Sequence, residues 1–425
     1  MFIPITGPLP SSIKIRRPIS IVTPLLKPSS SHRTELEGKP RLTPLRYRPV
    51  ESRAEAALPV DHLPYRFARL ATRPGQYWDL SRDGDPDQLR TLGLPEFHTP
   101  EQLADWLQMP VGRLAWLTRR CAETQRPETE RDGHYYCRWM EKRSGGWRLI
   151  EAPKPILKSV QQRIAREILQ NIPPHEAAHG FVRGRSIVTN AQPHVGRRVV
   201  LKLDLENFYA SVRFARVVAI FRRVGYSREA AIWLARLTTS AAPWSLSAPD
   251  GSDDTLRPYT AWHLPQGAPT SPALANLSAF SLDVRLTGMA RCFGAAYTRY
   301  ADDLTFSGSQ RLIRALPTFL PLITQIIQSE RFRVKKEKRK VLRNNQRQTI
   351  AGVVVNAHPN VTRSDFDRLK AILTNCIRHG PSDQNREQVP DFAAHLRGRI
   401  AHVMQLNPHR GAKLLALYEQ IDWNH

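Results

Sequence analysis

The sequence lacks the features of a membrane-spanning or disulfide-bonded protein. It contains no run of about 18 apolar residues, so we predict no segment that crosses a bilayer. Its first residues have neither a basic start nor a continuous apolar core, which disfavours a signal peptide. Four cysteines occur among 425 residues, none in a Cys-x-x-Cys pair, which argues against a zinc knuckle or a disulfide framework. We therefore expect a cytoplasmic protein with no membrane partner.

Acidic residues are scarce relative to basic ones. The chain has 63 lysines and arginines against 38 aspartates and glutamates, which gives a formal net charge of +25. An excess of this size favours attraction to nucleic acid or to an anionic membrane surface. Hydrophobic residues make up 41% of the chain, enough to form the cores of two or three ordinary domains.

The first 97 residues are predicted to form a basic, proline-rich extension that is partly disordered. Residues 1–50 contain nine prolines and nine lysines or arginines against two acids. Prolines at this density prevent sustained helix or sheet, and the charge excess keeps the segment solvated. The segment fits a passive extension as well as it fits a tail that binds polyanions. Residues 51–97 contain turn signals but no pattern that identifies a fold.

Residues 135–151 have the pattern of a β-hairpin. Two runs typical of strands flank Ser-Gly-Gly at 144–146, which supplies the positive φ angles of a tight turn. Lys142, Arg143 and Arg148 place cations around this turn. A flexible basic hairpin can close over a triphosphate, and a basic surface turn would have the same sequence.

The segment 179–194 combines arginines, glycines and a histidine. Arg183 and Arg185 flank Gly184, a pattern that lets backbone lie close to a phosphodiester chain, although solvated loop arginines look the same. His194 can bind nucleic acid or serve a structural role, and histidines are more often structural.

A second hairpin, at residues 297–308, carries two adjacent acids. An aromatic and β-branched run meets a second apolar run, with Asp302 and Asp303 between them. Adjacent carboxylates repel each other, so both stay ionised in a half-buried turn only if cations share the site. Mg²⁺ is the expected cation, because hard carboxylate oxygens suit it and it can bridge to phosphates. The Asp-Asp pair alone also fits a solvated turn.

A third acid ends an apolar strand. Residues 199–205 predict a strand with Asp204 near its end, and charged residues seldom end such strands without a partner. Residues 264–272 begin a long helix, whose free N–H groups can hold a phosphate or a nucleobase edge. Farther along, residues 331–343 include eight lysines or arginines among thirteen residues. Residues 350–355 are predicted to form one more strand, followed by a helical C-terminal module.

Three of these motifs, in their order and approximate spacing, resemble those of reverse transcriptases: Leu203-Asp204, Leu264-Pro265-Gln266-Gly267 and Tyr300-Ala301-Asp302-Asp303. Three more look like the retron branch of the bacterial enzymes: His179-Gly180-Phe181, Asn190-Ala191-x-x-His194 and Gly352-Val-Val-Val-Asn356. The resemblance covers about residues 98–425. It departs from the usual retron pattern at Ile350-Ala351, in place of Val-Thr, and at Lys335 and Arg339, in place of Asn and Thr.

The resemblance implies an α+β, right-hand polymerase fold with fingers, an antiparallel-sheet palm and a helical thumb. On this basis residues 98–198 are expected to form N-terminal helices and fingers. Residues 199–361 would form the palm with fingers insertions, and residues 362–425 would form the thumb.

The resemblance also implies roles for individual residues. Asp204, Asp302 and Asp303 would be catalytic and would hold two Mg²⁺ ions, and Lys338 would protonate the leaving pyrophosphate. The residues expected to bind the nucleotide are Lys142, Arg143, Arg148, Tyr209 and Gln266. Of these, Tyr209 would select against a ribose 2′-hydroxyl. RNA-binding roles fall on Arg183, Arg185, Asn190 and His194.

A retron-type enzyme would copy part of a cognate structured non-coding RNA into covalently linked single-stranded DNA (msDNA), using dNTPs and a guanosine 2′-hydroxyl as primer. It would act in antiphage defence with a separate effector protein. The alternatives are a group II intron-like or other defence-associated reverse transcriptase, and a non-catalytic RNA-binding scaffold. The three aspartates speak against a scaffold, which has no reason to place anions beside a bound polyanion.

Overall fold

The computed structural model describes residues 80–118, 126–142 and 145–423, and the backbone of three short strands nearer the N-terminus. Arg143 and most of the predicted N-terminal extension lie outside these residues, so the predictions for them stay predictions. Within the described part of the chain, every helix is too short or too polar to cross a bilayer.

The described elements mix helices with antiparallel strands. The helices are α1 (Pro86–Thr91), α2 (Pro100–Leu107), α3 (Val111–Thr118), α4 (Pro155–Glu167), α5 (Ile187–Ala191), α6 (Phe208–Ser211), α7 (Phe214–Arg223), α8 (Arg228–Thr238), α9 (Asp253–Leu256), α10 (Ser271–Ser278), α11 (Phe280–Cys292), α12 (Gln310–Ser329), α13 (Arg363–His379), α14 (Phe392–Leu406) and α15 (Pro408–Tyr418). The strands are β1 (Glu55–Ala56), β2 (Ala71–Arg73), β3 (Gln76–Trp78), β4 (Tyr135–Glu141), β5 (Trp147–Pro153), β6 (Val199–Asp204), β7 (Ala296–Tyr300), β8 (Asp303–Gly308), β9 (Lys340–Arg343), β10 (Thr349–Ile350) and β11 (Val353–Val354). The predicted α+β class is confirmed.

A four-stranded antiparallel sheet, in the order β7-β8-β6-β9, forms the centre of the fold. Its central strand β6 is an apolar run, Val-Val-Leu-Lys-Leu-Asp, that is buried except at Lys202. Helices α11 and α12 pack against the sheet, and Phe306 of β8 contacts Phe319 of α12 edge to face. The burial of apolar side chains by these helices fixes the sheet and therefore the positions of its strand ends.

Part of the predicted N-terminal extension, residues 80–97, packs into the main core. Phe97 is 1% exposed and stacks on Tyr226, with 4.8 Å between ring centroids. The backbone N–H of Asp85 donates to the carbonyl of Gly225 over 2.7 Å, and the Asp85 side chain caps α1. Asp85, within the region where the sequence shows turn signals, is therefore the N-cap of α1.

The C-terminal helices α13, α14 and α15 agree with the predicted helical module and share a second core with residues around β10 and β11. The single strand predicted for residues 350–355 is wrong. Strands β10 and β11 pair with each other, and Ala351 and Gly352 have φ angles of 45° and 88°. Two successive positive φ angles produce a tight hairpin turn. The residue bounds expected for the fingers, palm and thumb stay predictions.

Candidate active site

The three predicted acids meet at one end of the central sheet. The register of β6 and β8 places Asp204 directly opposite Asp303. The turn between β7 and β8 holds Asp302, whose carbonyl accepts a hydrogen bond from the N–H of Leu205 over 2.9 Å. Residues about 100 positions apart in sequence therefore converge, as the family resemblance implied.

Burial and neighbouring carboxylates raise the pKa of Asp302 and Asp303. Burial, followed by the charges of Asp204 and Asp303, raises the pKa of Asp302 to about 6. Burial also raises the pKa of Asp303, although Lys202 opposes this effect. Raised pKa values mean that ionising these carboxyl groups in the folded protein costs free energy. A nearby cation lowers that cost.

Lys338 supplies one cation to the site. Its Nζ donates a hydrogen bond to Oδ2 of Asp204 over 2.9 Å. The preceding backbone is held as well, because the N–H of Lys335 donates to the carbonyl of Asp204 over 2.8 Å. The structure therefore brings the predicted catalytic lysine to the predicted catalytic acids.

The donor chemistry of these acids fits a hard divalent cation, but their side chains are not arranged as a finished coordination shell. Among the described residues, no three acidic, histidine or cysteine side chains are grouped closely enough to hold a metal ion. A bound cation would relieve the repulsion from Asp204 and Asp303, which adds to burial in raising the pKa of Asp302.

A cleft of about 1460 Å³ opens over the acids. Most of the predicted catalytic and nucleotide-binding residues line it: Lys142, Arg148, Asp204, Tyr209, Gln266, Asp302, Asp303 and Lys338. Burial, followed by the charge of Asp302, raises the pKa of Tyr209 to about 12, although Arg299 and Arg148 oppose this effect. The structure thus brings these residues together, while their individual roles stay predictions.

The predicted hairpin at 135–151 is formed by β4 and β5 and reaches the cleft. Gly145 and Gly146 have φ angles of 79° and 78°, and the N–H of Lys142 donates to the carbonyl of Gly146 over 2.9 Å. Burial and the nearby Lys335, Arg148 and Lys338 lower the pKa of Lys142. Cations gathered this closely favour binding of a polyphosphate.

The turn that carries Gln266 is attached to this hairpin. The carbonyl of Gln266 accepts a hydrogen bond from the N–H of Glu151 in β5 over 2.8 Å. The side chain of Glu151 lies 2.8 Å from Nε2 of His263, and both side chains are fully buried. The sequence analysis missed this pair, since a lone Glu and a lone His more than 100 positions apart give no local signal.

The prediction that Asn190 and His194 contact RNA directly is wrong for this structure, because both side chains are buried. His194 hydrogen-bonds through Nδ1 to Ser307 Oγ (2.6 Å) and through Nε2 to Thr298 Oγ1 (2.8 Å). Burial, Arg197 and His179 lower its pKa to about 3, so the ring stays neutral. These residues join α5 to the strands of the catalytic hairpin.

Arg183 and Arg185, the two arginines of the segment 179–194, differ in their surroundings. Arg185 donates through Nη1 to the backbone carbonyls of His175 and Glu176, over 2.8 and 3.1 Å, so it holds its own loop. Arg183 is exposed and keeps its predicted RNA-binding role as a prediction.

Arg299 is a supporting residue that the sequence analysis missed. Its guanidinium is fully buried, pairs with Asp283 over 2.7 Å and donates to Asn276 Oδ1 over 2.9 Å. It also donates through Nη1 to the carbonyl of Ala301 over 3.0 Å. Ala301 has a φ of 55° and precedes Asp302, so the buried arginine stabilises a left-handed turn residue next to the acids.

Comparison with known proteins gives a consistent result. Residues 140–357 match the family model described as reverse transcriptase (RNA-dependent DNA polymerase). The chain is 42% identical over 354 residues to the retron Mx65 reverse transcriptase of Myxococcus xanthus, covering 82% of this chain and 77% of that protein. It is 33% identical over 369 residues to the retron Mx162 reverse transcriptase of the same organism, covering 82% and 73%. Identity to the retron Ec86 reverse transcriptase of Escherichia coli is 27% over 340 residues, covering 79% and 93%.

Proposed function

The chain belongs to the retron-type reverse transcriptases, which are RNA-directed DNA polymerases, and from this premise we propose that Asp204, Asp302 and Asp303 form its polymerase site with two Mg²⁺ ions. The observation that carries the proposal is the register of β6 and β8, which sets Asp204 opposite Asp303 beside the turn that holds Asp302. Dependence on divalent metal follows from the family, and Mg²⁺ suits carboxylate ligands next to phosphates.

When bound, the ions would activate the primer hydroxyl and neutralise the leaving pyrophosphate. Asp204 and Asp302, together with Asp303, would hold them. The ammonium of Lys338, which pairs with Asp204, would donate a proton to the leaving pyrophosphate.

The remaining cleft residues would select and hold the nucleotide. Arg148 and Lys142 would bind the triphosphate, and Gln266 would contact the incoming nucleotide from its turn against β5. Tyr209 lies close enough to Asp302 for that carboxylate to affect its pKa, which supports a position beside the sugar.

We further propose a retron product. The relatives named above are retron enzymes, so we expect this chain to copy part of a structured RNA into linked single-stranded DNA, primed from a guanosine 2′-hydroxyl. Exposed Arg183 and the helices α13–α15 would contact the RNA. A role in antiphage defence with a separate effector protein is part of the same proposal.

The polymerase site is tested with Asp302→Asn in the full chain. We expect Mg²⁺-dependent DNA synthesis on a primed RNA template to be abolished while RNA binding, followed by fluorescence anisotropy, persists. An exposed acid outside the cleft, Asp383, gives a matched control as Asp383→Asn. Undiminished synthesis by Asp302→Asn would refute the site, and a wild-type protein that binds RNA but makes no DNA would favour the scaffold.

The retron product is tested separately. Expression of the chain together with its flanking DNA should yield a short branched RNA–DNA molecule that is sensitive to both ribonuclease and deoxyribonuclease. Its absence, with synthesis on a supplied template intact, would favour another class of bacterial reverse transcriptase.

A further inference from the structure

Phe181 combines two unfavourable features beside the acids. Its side chain is 59% exposed, although it is large and apolar, and it lines the cleft. Its backbone has a φ of 61°, in the left-handed region that favours glycine. A bulky residue is seldom found there, and such strain is retained where the surrounding structure imposes it.

Contacts of residues 179 and 180 with the surrounding structure impose the positive φ of Phe181. The N–H of His179 donates to the carbonyl of Arg299 over 2.7 Å. Asn276 Nδ2 donates to the carbonyl of Gly180 over 2.8 Å. A Cβ on Gly180 would lie 2.7 Å from the backbone nitrogen of Ala301, so this segment is docked directly against the catalytic turn.

These contacts hold the backbone of Phe181 but leave its ring with little to pack against. Its ring lies tilted beside that of Tyr300, with 6.5 Å between ring centroids and 39° between ring planes. This geometry is looser than the stacked pair of Tyr297 and Phe306, whose centroids are 4.7 Å apart. The fold therefore presents an open aromatic face at the edge of the cleft, next to the residue that begins the Tyr-Ala-Asp-Asp turn.

We propose that Phe181 is a stacking surface for a nucleobase of the template–product duplex at the polymerase site. The proposal rests on the proposed function and adds a binding residue to it. Charge complementarity supports a nucleic acid as the occupant, because the same cleft is lined by Lys142, Arg148, Arg331, Arg333, Lys335 and Arg339. Cations that follow a phosphate backbone together with an aromatic face for the bases are the usual means of holding a nucleic-acid strand.

The test compares Phe181→Ala, Phe181→Trp and Phe181→Gly with the wild-type protein. We expect Phe181→Ala to weaken binding of a primed RNA template by roughly 5- to 150-fold, the range that base–aromatic stacking spans, and Phe181→Trp to retain it. The loss in Phe181→Ala should be the same factor at every salt concentration, because no charge is removed. Trp244, 64% exposed and not among the cleft residues, is the control as Trp244→Ala.

Phe181→Gly separates stacking from a structural role. Glycine relieves the positive φ, so we expect a melting temperature equal to or above that of the wild type together with the same weakened binding. A lower melting temperature with unchanged template affinity would overturn the proposal.

The strand that Phe181 contacts is identified with 2-aminopurine. The probe is placed at the primer 3′ end in one experiment and at the template base opposite it in another. The wild type should quench one of the two probes more than Phe181→Ala does. Equal affinity and equal quenching of both probes by the two proteins would also overturn the proposal. Failure of the polymerase site itself would instead appear as undiminished synthesis by Asp302→Asn.

Discussion

Lys338 Nζ and Asp204 Oδ2 lie 2.9 Å apart, although the two residues are 134 positions apart in sequence. The pair lies at the sheet end where Asp204 faces Asp303. A lysine therefore occupies, in the resting site, a carboxylate that the proposed mechanism gives to a metal. Binding of the metal is then linked to release of the lysine, because the metal ion and the ammonium group compete for the same oxygen atoms.

Lys338→Gln should separate proton donation by Lys338 from its competition with the metal for Asp204. We expect the maximal rate of single-nucleotide incorporation to fall on the order of 100-fold, the scale of general acid catalysis. The Mg²⁺ concentration for half-maximal rate should fall at the same time, because the competing ammonium is gone. Rapid-quench kinetics over a Mg²⁺ series measures both quantities. Lys336→Gln, at an exposed lysine two positions away, is the control for loss of charge.

The raised pKa of Asp302 predicts a pH-dependent stability. Its pKa rises from 3.8 to about 6 on folding, so the folded state binds the proton more tightly. The associated stability is fully present below about pH 4 and is lost as pH rises through about 6. Asp302→Asn should therefore melt at a higher temperature than the wild type above pH 7, and the difference should vanish below pH 4.

Mg²⁺ provides the control for that experiment. Added Mg²⁺ should raise the melting temperature of the wild type more than that of Asp302→Asn, because a ligand that binds the folded state stabilises it. Equal melting curves for the two proteins at pH 8 without metal would contradict the electrostatic account of this site.

Local patterns were sufficient to predict the elements that carry the acids. An apolar run ending in Asp204 and two β-type runs around Asp302 are local signals, and both became strands of the central sheet. The motifs they belong to also led to the family, and the α+β, right-hand polymerase fold implied by it is confirmed. The pairing of Asp204 with Asp303 needed the family resemblance, because register between distant strands is set by tertiary packing.

Burial was the property that sequence could not supply. His194 is enclosed because the turn that follows α5 packs on β7 and β8, whose Thr298 and Ser307 are more than 100 positions away. An arginine such as Arg299 within a strand is expected at the surface, unless its buried partner is known. That partner, Asp283, lies on α11, and nothing near either residue in the sequence connects them.

Arg299→Met tests the support that this buried arginine gives to the catalytic turn. It would leave Asp283 as an unpaired buried charge, which we expect to cost about 3–5 kcal/mol of unfolding free energy. Arg285→Met removes the half-exposed ion pair with Glu330 and should cost less than about 1 kcal/mol. Urea unfolding measures both variants.

Arg299→Lys separates the turn from overall stability. Lysine keeps the charge beside Asp283 but lacks the fork that also reaches Asn276 and the Ala301 carbonyl. We expect a cooperative unfolding transition with a reduced rate of incorporation and little change in template affinity. A rate equal to that of the wild type would show that the turn holds its shape without the bond to Ala301.

Tyr209 allows sugar selection to be tested through the ring and the hydroxyl separately. Tyr209→Ala removes the ring that would collide with a ribose 2′-hydroxyl, so we expect the preference for dNTPs over rNTPs to fall on the order of 100-fold. Tyr209→Phe keeps the ring and should keep the preference. The pKa of Tyr209 is raised to about 12, chiefly by burial, so its hydroxyl stays protonated and selection by the wild type should not change between pH 7 and pH 9. Incorporation kinetics with each nucleotide class decides the matter: if Tyr209→Ala still rejects rNTPs as the wild type does, another residue in the cleft performs the selection.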